Sequence, residues 1–295
     1  MQGSTKSILE KPKGGWTPLC EAVAAGDVEQ AKALVHQAQM SGHDILNMET
    51  MYGDTPLLIA AQLNLLPCIH LLLALKASPT YENRYGETGL IRAALSESME
   101  AVKTLVKGNE LSAKEATEAG FENTKGETAL TRACAQNKVG TAIEIVRLRS
   151  NVNHETKKGI TALHTAASND LSTLALALVR AKADINKETI NTRQTPIMAA
   201  SANSKPRMIE TLAAHGGRID HESSVGDTAM SFAAKRGIIS AIKDLLDKKA
   251  DIECDTRQQQ LSVFVAYTLH VDLTSGCELS HVVSGWMVIR PSDMQ

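Results

Sequence analysis

One short pattern recurs along the whole chain and limits what it can fold into. Gly15-Trp16-Thr17-Pro18-Leu19 returns as Gly53-Asp54-Thr55-Pro56-Leu57, Gly86-Glu87-Thr88-Gly89-Leu90 and Gly126-Glu127-Thr128-Ala129-Leu130. It appears again at Gly159 to Leu163, Arg193 to Ile197 and Gly226 to Met230. The seven threonines are spaced 38, 33, 40, 33, 34 and 33 residues apart, a period of 33 interrupted by insertions. Five residues after every threonine stands an alanine: Ala22, Ala60, Ala93, Ala133, Ala166, Ala200 and Ala233. Self-similarity at such a period is the signature of stacked units rather than of one closed globule.

Each element has a physical reason. A glycine two before the threonine permits a tight turn with positive φ. The threonine hydroxyl can accept a backbone N–H at a helix start, and Pro18, Pro56 and Pro196 then occupy the first helical position, where a missing N–H costs nothing. The alanine lets a short helix approach its neighbours closely. A second helix follows, with apolar residues at helical spacing, as in Leu171, Leu174, Ala175 and Leu178 or Ile238, Ala241, Ile242 and Leu245. A single helix pair cannot bury its own apolar face, so stability must come from stacking.

These units resemble ankyrin repeats, whose T-P-L-H-x-A-A core is nearly reproduced by Thr161-Ala162-Leu163-His164-Thr165-Ala166-Ala167. The resemblance covers about residues 14 to 255 and implies an all-α solenoid of about seven helix-turn-helix repeats, with a degenerate eighth as an alternative. It departs from the family pattern at Arg193, which replaces the turn glycine, at Gly89, and in the absence of the histidine from most copies. The sixth repeat and the surroundings of Gly89 are therefore expected to be looser. Insertions near residues 37–47 and 108–121 are expected to lengthen loops without disturbing the helices, either as neutral surface or as partner contacts.

The domain reading is a polar extension over 1–13, a repeat domain over 14–257 and a charge-poor tail over 258–295. The tail contains no lysine and has only Asp272, Glu278, Arg290 and Asp293 as charges. Leu261, Val263, Val265 and Tyr267 alternate with the period of a strand, while Val263 and Ala266 also fall on repeat positions. A degenerate repeat, a cap and a variant end all remain open.

Composition narrows the function. Net charge is −2, with 31 basic and 33 acidic side chains, so no bulk attraction to nucleic acid or anionic membrane is implied. No run approaches the ~18 apolar residues of a membrane span, and the first residues lack the apolar core of a signal peptide. The five cysteines are scattered and form no CxxC, which reads as reduced, buried thiols. No P-loop, dinucleotide fingerprint, nucleophile elbow or zinc-ligand spacing is present. A cytoplasmic address, with the nucleus as the alternative, a monomer, no cofactor and no enzymatic activity are the expectations.

The resemblance implies a protein partner held on a concave face made of turn tips and first helices. The residues it offers are Trp16, Tyr52, Asp54, Tyr85, Glu87, Lys125, Glu127, Lys158, Ile160 and Asp227. Tyr52 and Tyr85 hold equivalent places in adjacent repeats and are two of only four tyrosines, as an interface hot spot would be; packing of each ring over its own turn is the alternative. Glu49, Glu82, Glu122, Glu155 and Glu222 each stand six before a threonine, with Glu188 displaced by one inserted residue. Stacked about 10 Å apart, they would form an acidic ladder favouring a partner with a basic segment, unless Arg84, Lys125 and Lys157 neutralise it locally. The function expected is a non-catalytic interaction module: adaptor, scaffold or stoichiometric inhibitor. The alternatives are the targeting segment of a larger enzyme or receptor, and an assembly chaperone.

Overall fold

The computed structural model describes residues 15–107, 122–236, 238, 241, 242 and 245. The extension over 1–13, the insertion over 108–121 and the tail over 258–295 lie outside the described residues. Thirteen helices and no strand occupy those residues, in pairs: α1 (Pro18–Ala24) and α2 (Val28–Met40), α3 (Pro56–Gln62) and α4 (Leu66–Ala74), α5 (Gly89–Leu95) and α6 (Met99–Lys107), α7 (Ala129–Ala135) and α8 (Val139–Arg147), α9 (Ala162–Ser168) and α10 (Ser172–Arg180), α11 (Pro196–Ala202) and α12 (Pro206–Ala214), then α13 (Ala229–Lys235). The first helix of each pair packs on the first helix of the next, from α1 through α13, and α2 through α12 form a second row behind them. The result is the two-layered solenoid that the repeat predicts.

The threonines start the first helices as expected. Thr17 Oγ1 accepts from Cys20 N at 3.1 Å, and Thr55, Thr88, Thr128, Thr161 and Thr228 cap in the same way. In three repeats the third helical residue reaches back: Thr131 Oγ1, His164 Nδ1 and Ser231 Oγ accept from the backbone N–H of the capping threonine. Repeat six differs. Met198 stands at that place, Thr195 makes no capping bond, and its buried hydroxyl has no partner. Arg193 there adopts φ +50 where other repeats have glycine. At Gly89 φ is not positive, and an added Cβ would meet Leu57 at an ordinary 3.5 Å, so nothing steric requires glycine.

All seven period-marking alanines, each on a first helix, are buried. Behind them the second helices bury one stripe each, such as Leu174, Ala175 and Leu178 on α10 and Met208, Ile209 and Leu212 on α12. A fully buried Leu of this kind contributes about 1.5–3 kcal/mol. One continuous apolar cluster runs from Leu19 to Leu245, built of aliphatic side chains with Trp16 and Phe232 at its margin.

The first insertion corrects the sequence expectation. Instead of lengthening only a loop, it extends α2 to 13 residues, against 9 in α4. Ala31, Val35 and Ala38 continue the buried stripe at spacings of four and three, so the added turn still has a core to pack on. Cys20, Cys68 and Cys134 are free and buried, and burial pushes the Cys20 thiol up to about 11 and that of Cys134 to about 12. Such thiols remain protonated and inert at neutral pH.

Candidate protein-interaction face

The segments that precede the capping threonines fold as tight hairpins. Asn83 N donates to Glu87 O at 3.1 Å, Asn123 N to Glu127 O at 2.9 Å and Ser223 N to Asp227 O at 2.8 Å, with equivalents in the other described repeats. A short polar side chain opens each turn and holds its tip. Asn83 Oδ1 accepts from Tyr85 N and Glu87 N, Asn123 Oδ1 from Lys125 N and Glu127 N, and Thr50 Oγ1 from Tyr52 N and Asp54 N. Thr156, Thr189 and Ser223 play the same part. This column of Thr, Asn and Ser, five or six residues before the threonines of repeats two to seven, is a signal that sequence reasoning passed over.

Successive tips are tied together. Met51 N donates to Gly15 O at 2.8 Å, Lys157 N to Lys125 O at 3.2 Å, Ile190 N to Lys158 O at 3.2 Å and Ser224 N to Thr192 O at 3.0 Å. Glycine serves two purposes at Gly159: φ is +74, and an added Cβ would lie 2.6 Å from Ile190 N of the next hairpin. Where the backbone tie is missing from repeat two to repeat three, the Arg84 guanidinium donates to the Met51 carbonyl and lies 5.3 Å from the centre of the Tyr85 ring.

The expected partner-binding residues fall into two groups. Tyr52 and Tyr85 stand outward on adjacent tips, 52% and 59% exposed, and Lys125 and Lys158 are exposed on the next two. The acids that precede the capping threonines are instead paired within the chain. Asp54 and Glu87 share the Arg92 guanidinium, the second at 2.8 Å. Glu127 accepts from Asn123 Nδ2 at 2.9 Å and lies 3.8 Å from Arg132. Asp227 is only 5% exposed and holds Lys235 at 2.6 Å. Trp16 packs against the core and Ile160 is half-buried.

Five of the six ladder glutamates also acquire partners, and the regularity of those partners is informative. Each carboxylate tends to meet the residue that stands just before the next glutamate. Tyr81 bonds to Glu49, and burial together with that carboxylate pushes its hydroxyl up. Glu122 lies 3.0 Å from His154 Nε2, Glu155 2.6 Å from Lys187 and Glu188 3.2 Å from His221 Nε2. The hydrogen bond to Glu155 raises the Lys187 ammonium, and Arg193 lowers the Glu188 carboxyl. Glu82 accepts instead from Thr124 N and Oγ1, at 2.7 and 2.8 Å. Glu222 is exposed. His154 Nε2 faces a second acceptor, Gly126 O at 3.1 Å, so that nitrogen carries the proton. The ladder therefore stitches one repeat to the next, and the free acidic face anticipated for a basic partner is largely taken up by neighbouring donors.

His164 performs the role that the resemblance implies. Its Nε2–H donates to Gln194 O of the following hairpin at 3.0 Å while Nδ1 accepts from Thr161 N at 3.2 Å, and burial lowers its pKa. Sequence reasoning missed three further exposed apolar residues on the tips, Met51, Ile190 and Val225, at 52%, 61% and 72%; their plain signal was an aliphatic residue next to the turn. Among the described residues, no group of three or more His, Cys, Asp or Glu could hold a metal ion, and no helix is long and apolar enough to cross a membrane.

Comparison with known proteins agrees with this architecture. Among solved structures, the chain is similar to the human ASB11 ankyrin repeat domain, with TM-score 0.61 and 22% identity over 80% of this chain and 99% of that one. The ankyrin repeat domain of Bcl-3, described as a unique member of the IkappaB protein family, aligns with TM-score 0.49 and 22% identity over 85% of this chain and 95% of that one. Ankyrin repeats generally mediate protein–protein interaction and are typically non-catalytic. The sequence profile of ankyrin repeats in three copies matches residues 2–83, 19–115, 90–189 and 174–256, and with the stacked helix pairs and tied hairpins this places the chain in the ankyrin repeat family.

Proposed function

We propose that this chain is a non-catalytic interaction module, an adaptor, scaffold or stoichiometric inhibitor, that holds a protein partner along its hairpin tips and the adjoining surface of the first helices. The observation that carries this reading is the pair Tyr52 and Tyr85, on adjacent tips and more than half exposed in a chain with few aromatics. An aromatic ring that the fold leaves in water offers a large apolar area for a partner to cover, and covering it is favourable. The tips that present them are tied by side-chain and backbone bonds, so little ordering entropy is lost on binding.

The test uses the full chain with a photo-cross-linking phenylalanine analogue at position 85, and a control analogue at Arg180 on the second row of helices. A partner cross-linked from position 85 and not from position 180 is the expected result. Tyr52→Ala with Tyr85→Ala should then weaken that partner at least about tenfold with unchanged helicity and melting. Cross-linking only from position 180, or an unchanged affinity, would remove the tips from the interface.

A further inference from the structure

Along the tied edge of hairpin tips, unpaired charge and exposed apolar surface alternate in blocks. Repeats two and three present Tyr52 and Tyr85, repeats four and five present Lys125, Lys157 and Lys158, and repeats six and seven present Ile190 and Val225. The three lysines are exposed, and no carboxylate within the described residues pairs with them. Lys103, Lys138, Lys187 and Lys235, by contrast, are all in ion pairs. Of the neighbouring acids, Glu127 and Glu155 already balance Arg132 and Lys187, while Glu82 and Glu122, hydrogen-bonded to Thr124 and His154, keep their charge. Three exposed ammonium groups against those two carboxylates leave the block with a local excess of positive charge in a chain of net charge −2.

We infer that the partner engages this edge through an extended segment whose centre is acidic and whose two ends are apolar or aromatic. The inference rests on the tips being the binding edge and adds the chemistry of what binds there. The register follows from geometry. Repeats about 10 Å apart place the tips of repeats three and six about 30 Å from one another, which an extended chain rising about 3.3 Å per residue crosses in roughly nine residues. Carboxylates in the middle four or so would face Lys125, Lys157 and Lys158, and the ends would cover Tyr85 and Ile190. The backbone ties from Lys157 N to Lys125 O and from Ile190 N to Lys158 O hold the charged and apolar blocks in fixed order. A nucleic acid offers uniform negative charge and gains nothing from Ile190 and Val225; a bilayer could take up those side chains but has no use for the fixed order of apolar and basic blocks that an extended protein segment reads. Salt bridges on such an edge chiefly set on-rate and specificity.

The experiment measures fluorescence anisotropy of a labelled twelve-residue peptide with a Trp-Leu pair at each end and four glutamates at its centre, added to the full chain. Matched peptides with glutamine or lysine at the centre, a twelve-nucleotide single strand and phosphatidylserine vesicles are compared at about 50 and 300 mM salt. The acidic peptide is expected to bind at least about tenfold more tightly than the other two peptides, to weaken with salt, and to lose that preference in Lys125→Glu, Lys157→Glu, Lys158→Glu chain of unchanged melting. If that triple variant does not fold, the corresponding glutamine variant is expected to lose the preference by itself. Equal binding of the acidic and glutamine peptides, retention of the preference by a folded variant, or oligonucleotide or vesicle binding as tight as the peptide's would overturn the inference. A cross-linked partner sensitive to the tyrosine changes but not to the lysine changes would sink the acidic segment alone. Insensitivity to both would sink the binding edge itself.

Discussion

Replacing His164 with leucine tests how much of the cohesion between repeats comes from side chains that bridge hairpins. Leu58, Ile91 and Met198 already stand at the equivalent place in other repeats and are buried there, so the shape is tolerable and little cavity should form. What disappears is the Nε2–H bond to Gln194 O at 3.0 Å and the Nδ1 bond from Thr161 N at 3.2 Å. Two hydrogen bonds at about 1 kcal/mol net each, with up to about 3 kcal/mol more for backbone groups left buried and unpaired, give a loss of about 2–5 kcal/mol. The pH dependence distinguishes this account from a general packing defect. In the unfolded chain His164 takes up a proton near pH 6.5; in the native site burial, which outweighs Glu155 and Asp184, opposes it. Between those two pKa values the unfolded state holds more protons, so this residue's contribution to stability is present above pH 6.5 and is lost as the pH falls. Urea denaturation followed by circular dichroism should therefore show a large gap between the native chain and His164→Leu at pH 7.5, narrowing at pH 5.5. Parallel pH profiles for the two chains, or a loss under about 0.5 kcal/mol at pH 7.5, would refute the reasoning.

Two further substitutions probe the stack by other routes. Ala166→Leu forces extra methylenes between the fully buried faces of adjacent first helices and should cost about 1–3 kcal/mol; a urea midpoint unchanged from the native chain would argue against close packing there. Ser204 ends a first helix at φ +60 with an exposed side chain, so Ser204→Gly should relieve left-handed strain and stabilise by about 0.5–1 kcal/mol net of the added chain entropy. A lower midpoint for Ser204→Gly would show that the serine side chain does something there.

The repeat was legible because it is enforced locally. Thr128 caps α7 whatever surrounds it, and Ala133 must be small wherever two first helices touch, so both leave a mark at a fixed offset in every copy. The left-handed residue nine after the threonines of repeats one to six was not legible, because Gly26, Asn64, Glu97, Asn137, Asp170 and Ser204 share a backbone conformation but no residue type. The longer α2 escaped for a different reason. Whether Gln37 to Met40 continue a helix depends on whether Ala38 finds a core to pack on, and the sequence of the insertion does not say.

The candidate face divides in the same way. Spacing alone put Tyr52 and Tyr85, and the six ladder glutamates, in columns, since residues one period apart must line up when units stack. Which of those side chains are left over was a tertiary matter. Glu122, Glu155 and Glu188 meet donors roughly thirty residues away that happen to stand one place before the next rung, and Arg92 on one helix takes up carboxylates from two hairpins. Charge in a sequence is a sum, but charge on a surface is what remains after neighbours have paired. The linear text thus determined the stacked helix pairs, their caps and their small-residue seams, each fixed by contacts a few residues apart. Only the assembled stack decided that most of the ladder acids meet donors on the next repeat while Lys125, Lys157 and Lys158 stay exposed, because that pairing is made between residues a full repeat apart.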